Sequence, residues 1–89
     1  MPIISMFFGI IVRMFYYDNK QHHLPHIHVE YREFKAVVSL IDGKLLEGNF
    51  PNDKMKLVLA WMVIHNDELT ANWSLAIGGE KIFKIESLK

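Results

Sequence analysis

The run His26–Tyr31 constrains this chain more than any other feature. It alternates strictly, with Ile27, Val29 and Tyr31 facing one way and His26, His28 and Glu30 the other. That is the period of a strand with one apolar and one polar face. Arg32-Glu33 follows, and then Phe34 to Ile41, a second strand-favouring run. A two-residue connection would set Tyr31 opposite Phe34, Val29 opposite Ala36 and Ile27 opposite Val38, leaving one whole face apolar. On the reverse face, Glu30 would lie beside Lys35 and His26 near Ser39.

The flanking segments extend this hairpin. Phe8 to Tyr17 is rich in β-branched and aromatic residues and predicts an earlier strand. Alternation puts Ile10, Val12, Met14 and Tyr16 on one face and Ile11, Arg13, Phe15 and Tyr17 on the other. Asp18 to Pro25 is polar and proline-terminated, which predicts a loop. Asp42-Gly43 signals a turn into a strand over Leu45–Asn49. A strict two-residue turn would aim Glu47 at the apolar face. A bulge at Gly43 would aim Leu46, Gly48 and Phe50 there instead, and is expected.

An apolar sheet face needs a cover, and the chain supplies one. Between Asp53 and Ile77 there is no glycine or proline, and Val58, Trp61, Met62, His65, Leu69 and Trp73 recur at helical spacing. Asn52 is the expected N-cap and Gly78-Gly79 the stop. About 25 helical residues would span roughly 37 Å, longer than such a sheet, so a break is expected around Asn66-Asp67. Lys81 to Glu86 predicts a short fifth strand on a sheet edge. The expected fold is α+β: one domain over residues 1–89, a four-stranded antiparallel meander with a long or broken C-terminal helix packed on one face.

Composition narrows the functional classes. Lysine plus arginine equals aspartate plus glutamate at 10 each, for a net charge of zero. A nucleic-acid partner, which rewards a basic face, is therefore not expected. The apolar stretch from Met1 to Val12 is shorter than the roughly 20 residues of a membrane span. It also lacks the flanks of a signal peptide. With no cysteine, the chain reads as a cytoplasmic protein held together by apolar burial. A hydrophobic share of 51% is high for so small a domain. It predicts burial against a partner, either another small protein or a second copy.

Four of the five histidines fall within His22 to His28. His26 and His28, two apart on a strand, project from one face with Glu30 continuing the row, and His22 or His23 could fold in from the loop. Such a set (His22, His26, His28 and Glu30) has the spacing and donor types for a divalent metal: zinc, nickel, iron or manganese. Without metal, His26 or His28 is a candidate general base. Arg13, the only charge in the first strand, is placed to hold Glu30 or an anionic ligand. The plainer alternative is that a wet sheet face simply needs polar residues. His65 lies on the helix stripe, where a hydrogen-bonded core histidine is expected, and Trp61 and Trp73 read as core anchors.

Pro2, Ile4-Ser5, Phe8-Gly9-Ile10 and Met14, then His22-x-x-Pro25-His26-x-His28-x-x-Tyr31, and later Trp61-x-x-x-His65-x-x-Glu68-Leu69-x-x-x-Trp73, together resemble a small prokaryotic family, domain of unknown function 4160. The chain departs from it at Leu24, where members commonly carry a second proline. The resemblance implies no catalytic residues. It implies a neighbouring gene for a second small protein, in an arrangement similar to toxin–antitoxin pairs. The expected function is thus a partner-binding component of such a two-gene module. The alternative is a small metal- or histidine-dependent hydrolase or nuclease-like enzyme using His22, His26 and His28.

Overall fold

The structure is a computed structural model that describes residues 2–15 and 24–88. It contains five strands and two helices: β1 (Ile3–Phe7), β2 (Ile10–Arg13), β3 (His26–Tyr31), β4 (Phe34–Ser39), β5 (Leu45–Gly48), α1 (Asn52–Ile64) and α2 (Asn66–Ile77). The strands form one antiparallel sheet in chain order. No helix among the described residues is long and apolar enough to cross a membrane.

The central hairpin follows the alternation pair for pair. Tyr31 lies opposite Phe34, Glu30 opposite Lys35, Val29 opposite Ala36, Ile27 opposite Val38 and His26 opposite Ser39. Ile27, Val29 and Val38 are essentially fully buried. Ile10, Val12 and Met14 share their face and are also fully buried.

The first strand differs from expectation. Phe8 and Gly9 are not strand residues but a tight turn, with φ of 50° and 80°, and a separate strand β1 precedes them. Two left-handed residues in succession give a two-residue hairpin the twist its strands need. Gly9 takes that conformation without strain, and its turn packs so closely that an added Cβ would press on the Tyr31 ring at 3.3 Å. The fifth strand is therefore β1, at the opposite end of the chain from Lys81–Glu86. Tyr16 and Tyr17 lie outside the described residues.

The β4–β5 connection also differs. Val37 pairs with Glu47 and Val38 with Leu45, so the extra residue is Leu46 rather than Gly43. The bulge has the expected effect of keeping Glu47 off the apolar face. Gly43 (φ 73°) closes the turn instead, donating its N–H to the Ser39 carbonyl at 3.0 Å. Asp42 accepts from the Lys44 N–H at 3.0 Å, which holds its carboxyl below the usual carboxylate range. The strand ends at Gly48 (φ 83°), where a Cβ would collide with the Lys35 carbonyl oxygen.

The helix breaks at His65 (φ −111°), one residue before the expected point. Asn66 is the first residue of α2, and Pro51 takes the N-cap position that Asn52 was expected to fill. Val58, Trp61, Met62, Leu69 and Trp73 are buried against the sheet as their spacing requires. His65 Nδ1 lies 2.7 Å from Glu68 Oε1, making it a hydrogen-bonded histidine at the break. Gly79 (φ 73°) donates to the Ala76 carbonyl and Glu80 to that of Leu75, the paired bonds that close a helix on a left-handed residue.

Residues 80–88 form no strand. They are held by side chains from the helices. Asn72, fully buried, donates to the Phe83 carbonyl at 2.7 Å and accepts from the Phe83 N–H at 3.0 Å. Trp61 Nε1 donates to the Glu86 carbonyl at 2.8 Å. One backbone bond, Ile85 N–H to the Ile4 carbonyl at 2.7 Å, ties the segment to β1. Losing both Asn72 bonds would orphan two backbone groups, each costing about 1–3 kcal/mol. Asn72→Ala is therefore expected to lower the unfolding free energy by about 2–4 kcal/mol in urea titration.

Candidate functional site

The register builds the candidate site row by row. Arg13 of β2 lies opposite His28 of β3, His28 opposite Val37 of β4, and Val37 opposite Glu47 of β5. The next row runs Ile11, Glu30 and Lys35. Arg13 therefore sits diagonally to Glu30, within reach of long side chains. Its Nε donates to Glu30 Oε2 at 2.9 Å, the ion pair foreseen for these residues. Both side chains are partly shielded, at 21% and 28% exposure.

His26 and His28 project from this face, with ring centroids 5.3 Å apart, but they sit in different environments. His26 is 1% exposed and its ring lies 4.9 Å from that of Trp73. The expectation of an open row of imidazoles away from the helices is thus corrected at its first member: α2 reaches His26 at the start of β3. Its Nδ1 is 2.8 Å from the Leu24 carbonyl. A carbonyl only accepts, so Nδ1 carries the proton and Nε2 is the acceptor atom of the neutral ring. His28 is half-buried, with Phe15 edge-on at 4.3 Å. It lines a shallow groove of about 260 Å³ with Phe15, Glu30, Lys35, Val37 and Glu47.

The metal reading needs at least three converging donors. Among the described residues, no three histidine, aspartate or glutamate side chains come together to hold a metal ion. His26, His28 and Glu30 do not suffice, because Glu30 is turned to Arg13. His22, the fourth candidate, and His23 lie outside the described residues. The donor set in view does not fit a metal. It fits proton transfer or anion contact at His28 and Arg13.

Phe15 and Glu47 complete the groove without having been singled out from the sequence. Phe15 shares the alternation of Arg13 and could have been placed from it. Glu47 was placed on this face by the expected bulge, which the structure puts at Leu46 rather than Gly43.

Residues 9–74 match the family described as domain of unknown function (DUF4160), and the chain belongs to that family. The match runs from the β1–β2 turn through most of α2, leaving β1 and the segment after α2 outside it. No curated protein and no solved structure matches the chain.

The two histidines predict different outcomes. His26→Ala removes a fully buried, hydrogen-bonded ring and is expected to cost about 2–4 kcal/mol of stability. His28→Ala, at the groove surface, is expected to cost less than about 1.5 kcal/mol in the same denaturant titration.

Proposed function

We propose that this chain is the partner-binding component of a two-gene, toxin–antitoxin-like module acting in the cytoplasm, and that its β1–β2 hairpin tip docks the partner. One observation carries the reading. Phe8 is held in the left-handed region (φ 50°) and is 57% exposed, beside Met6 at 58%. A bulky aromatic at that backbone angle costs on the order of 1 kcal/mol or more, and with more than half of Phe8 exposed, burial offsets little of it. Asparagine would suit the position better. Strain at an exposed aromatic has a physical rationale where the ring anchors in another protein's pocket. The partner is accordingly a small protein with an apolar pocket, the product of the adjacent gene.

A second reading, a histidine-dependent hydrolase or nuclease-like enzyme, draws on the groove. In it His28 is the general base, Arg13 contacts an anionic substrate group, and His26, buried with its ring 5.3 Å from that of His28, orients the site. A metal would enter only with His22 beside His26, His28 and Glu30.

Co-expression with the adjacent gene product tests the first reading. Phe8→Asn is expected to raise the melting temperature, because it relieves the turn, while reducing co-purification at least about tenfold. Undiminished co-purification of the variant would sink the reading. The second reading predicts that His28→Gln abolishes growth inhibition while leaving partner capture intact.

A further inference from the structure

The outer edge of β1 carries an inference independent of the hairpin tip. Ile3 pairs with Arg13 and Ser5 with Val12, so Ile4 is an extra residue in β1. That bulge turns Ser5 to the core side of the sheet, beside the fully buried Val12. Ser5 is 7% exposed, and among the described residues its Oγ is the one buried side-chain polar atom with no hydrogen-bond partner. Leaving a buried hydroxyl unsatisfied is costly, and a ligand that satisfies it supplies the reason for keeping it. Ser5 lines a cavity of about 200 Å³ between β1 and the segment after α2. The bond from the Ile85 N–H to the Ile4 carbonyl holds the two walls together. Lys84 and Ser87 are the other polar lining, and Ile4, Met6 and Ile85 supply apolar surface.

A wider groove of about 550 Å³ continues from this cavity, sharing Ile4 and Lys84 with it and adding Lys81, Ile82 and Phe83. No acidic side chain lines either space. Glu86, the nearest acid in sequence, lines a separate groove with Ile64 and His65. Neither Lys81 nor Lys84 belongs to an ion pair among the described residues.

We propose that this edge of β1 is a binding site for a straight-chain aliphatic carboxylate. Its head group accepts from the Ser5 and Ser87 hydroxyls and pairs with Lys84, while its chain lies along Ile82 and Phe83. The lining selects this class. A buried hydroxyl donor beside an ammonium calls for an anion, and mostly apolar walls disfavour a strongly hydrated one such as phosphate. The groove of about 510 Å³ beside α1 is also apolar, with Leu59, Met62 and Val63, but Asp42 lines it and repels a carboxylate.

Calorimetric titration of the chain alone with octanoate tests the site. Octanoate is expected to bind at about 10 μM to 1 mM. Butyrate, with less chain to bury, and 1-octanol, with no charge, are each expected to bind at least about tenfold more weakly. Inorganic phosphate is expected to bind more weakly than octanoate as well. Ser5→Ala is expected to weaken octanoate about tenfold, yet to raise the melting temperature of the ligand-free protein by removing the orphaned hydroxyl. Lys84→Met is expected to weaken octanoate about tenfold. Val63→Ser, in the groove beside α1, is expected to leave the affinity within about twofold of wild type. Phosphate or 1-octanol binding as tightly as octanoate would overturn the proposal, as would octanoate binding unaffected by Ser5→Ala or Lys84→Met. A lower melting temperature for ligand-free Ser5→Ala would mean that the hydroxyl is already satisfied, and loss of binding in Val63→Ser would put octanoate in the other groove; either result overturns it too.

Discussion

Trp61 ties β1, the helix break and the segment after α2 together. It is fully buried, its ring tilts against Phe7 of β1 at 5.3 Å, and it lies 5.7 Å from His65 at the helix break. Its indole N–H must find an acceptor when buried, and the acceptor is the Glu86 carbonyl. The position of the segment after α2 follows from that requirement. Asn72 repeats the arrangement one helix later, with both polar ends committed to Phe83. Two polar hooks on otherwise apolar helix faces thus hold a stretch that has no ladder of its own. With it in place, Ile82 and Ile85 complete the core beside Ile4.

The two faces of the sheet are not simply dry and wet. The face toward the helices is closed over β2 to β4, where Ile10, Val12, Ile27, Val29 and Val38 are at most 1% exposed. The other is graded: His26 and Ser39 are 1% exposed and Val37 7%, whereas Lys35 and Glu47 stand in solvent. His28 sits at the boundary. That gradient divides the work between neighbouring histidines, giving one a packing role and the other access to a groove. It also explains why donor spacing alone says little here. The residues share a side, but burial and the Arg13 pair have already assigned two of them.

The β3–β4 hairpin was legible to the residue, because its alternating pattern leaves only one register with a clean apolar face. The helix pair was nearly so, since a length mismatch demands a break, and it falls one residue before the expected place. The β1–β2 turn was hidden by a stretch from Ile3 to Val12 that is apolar apart from Ser5 and Gly9, and by a phenylalanine where turn chemistry favours asparagine. Leu45 and Leu46 are both apolar, so the pattern could not say which was the extra residue. Asn72 was unreadable for another reason: its partners are backbone atoms of Phe83, which leave no trace in residue type. For the site, alternation gave the side shared by His26, His28 and Glu30 and the reach of Arg13. It gave nothing about what lies over His26, because Trp73 arrives from far along the chain.

The meander has a kinetic corollary. Every strand pairs with its chain neighbour, so most of the sheet can assemble through local hairpins with little loop-closure entropy, which favours fast folding. The bond from Ile85 to Ile4 is the exception, joining residues near opposite ends of the described chain. It spans more chain than any other bond described, carries the largest loop-closure cost, and is expected to form late. Until then the outer edge of β1 is bare, and a bare edge is a template for pairing with another molecule. The interval before that last bond closes is when this chain is most exposed to aggregation.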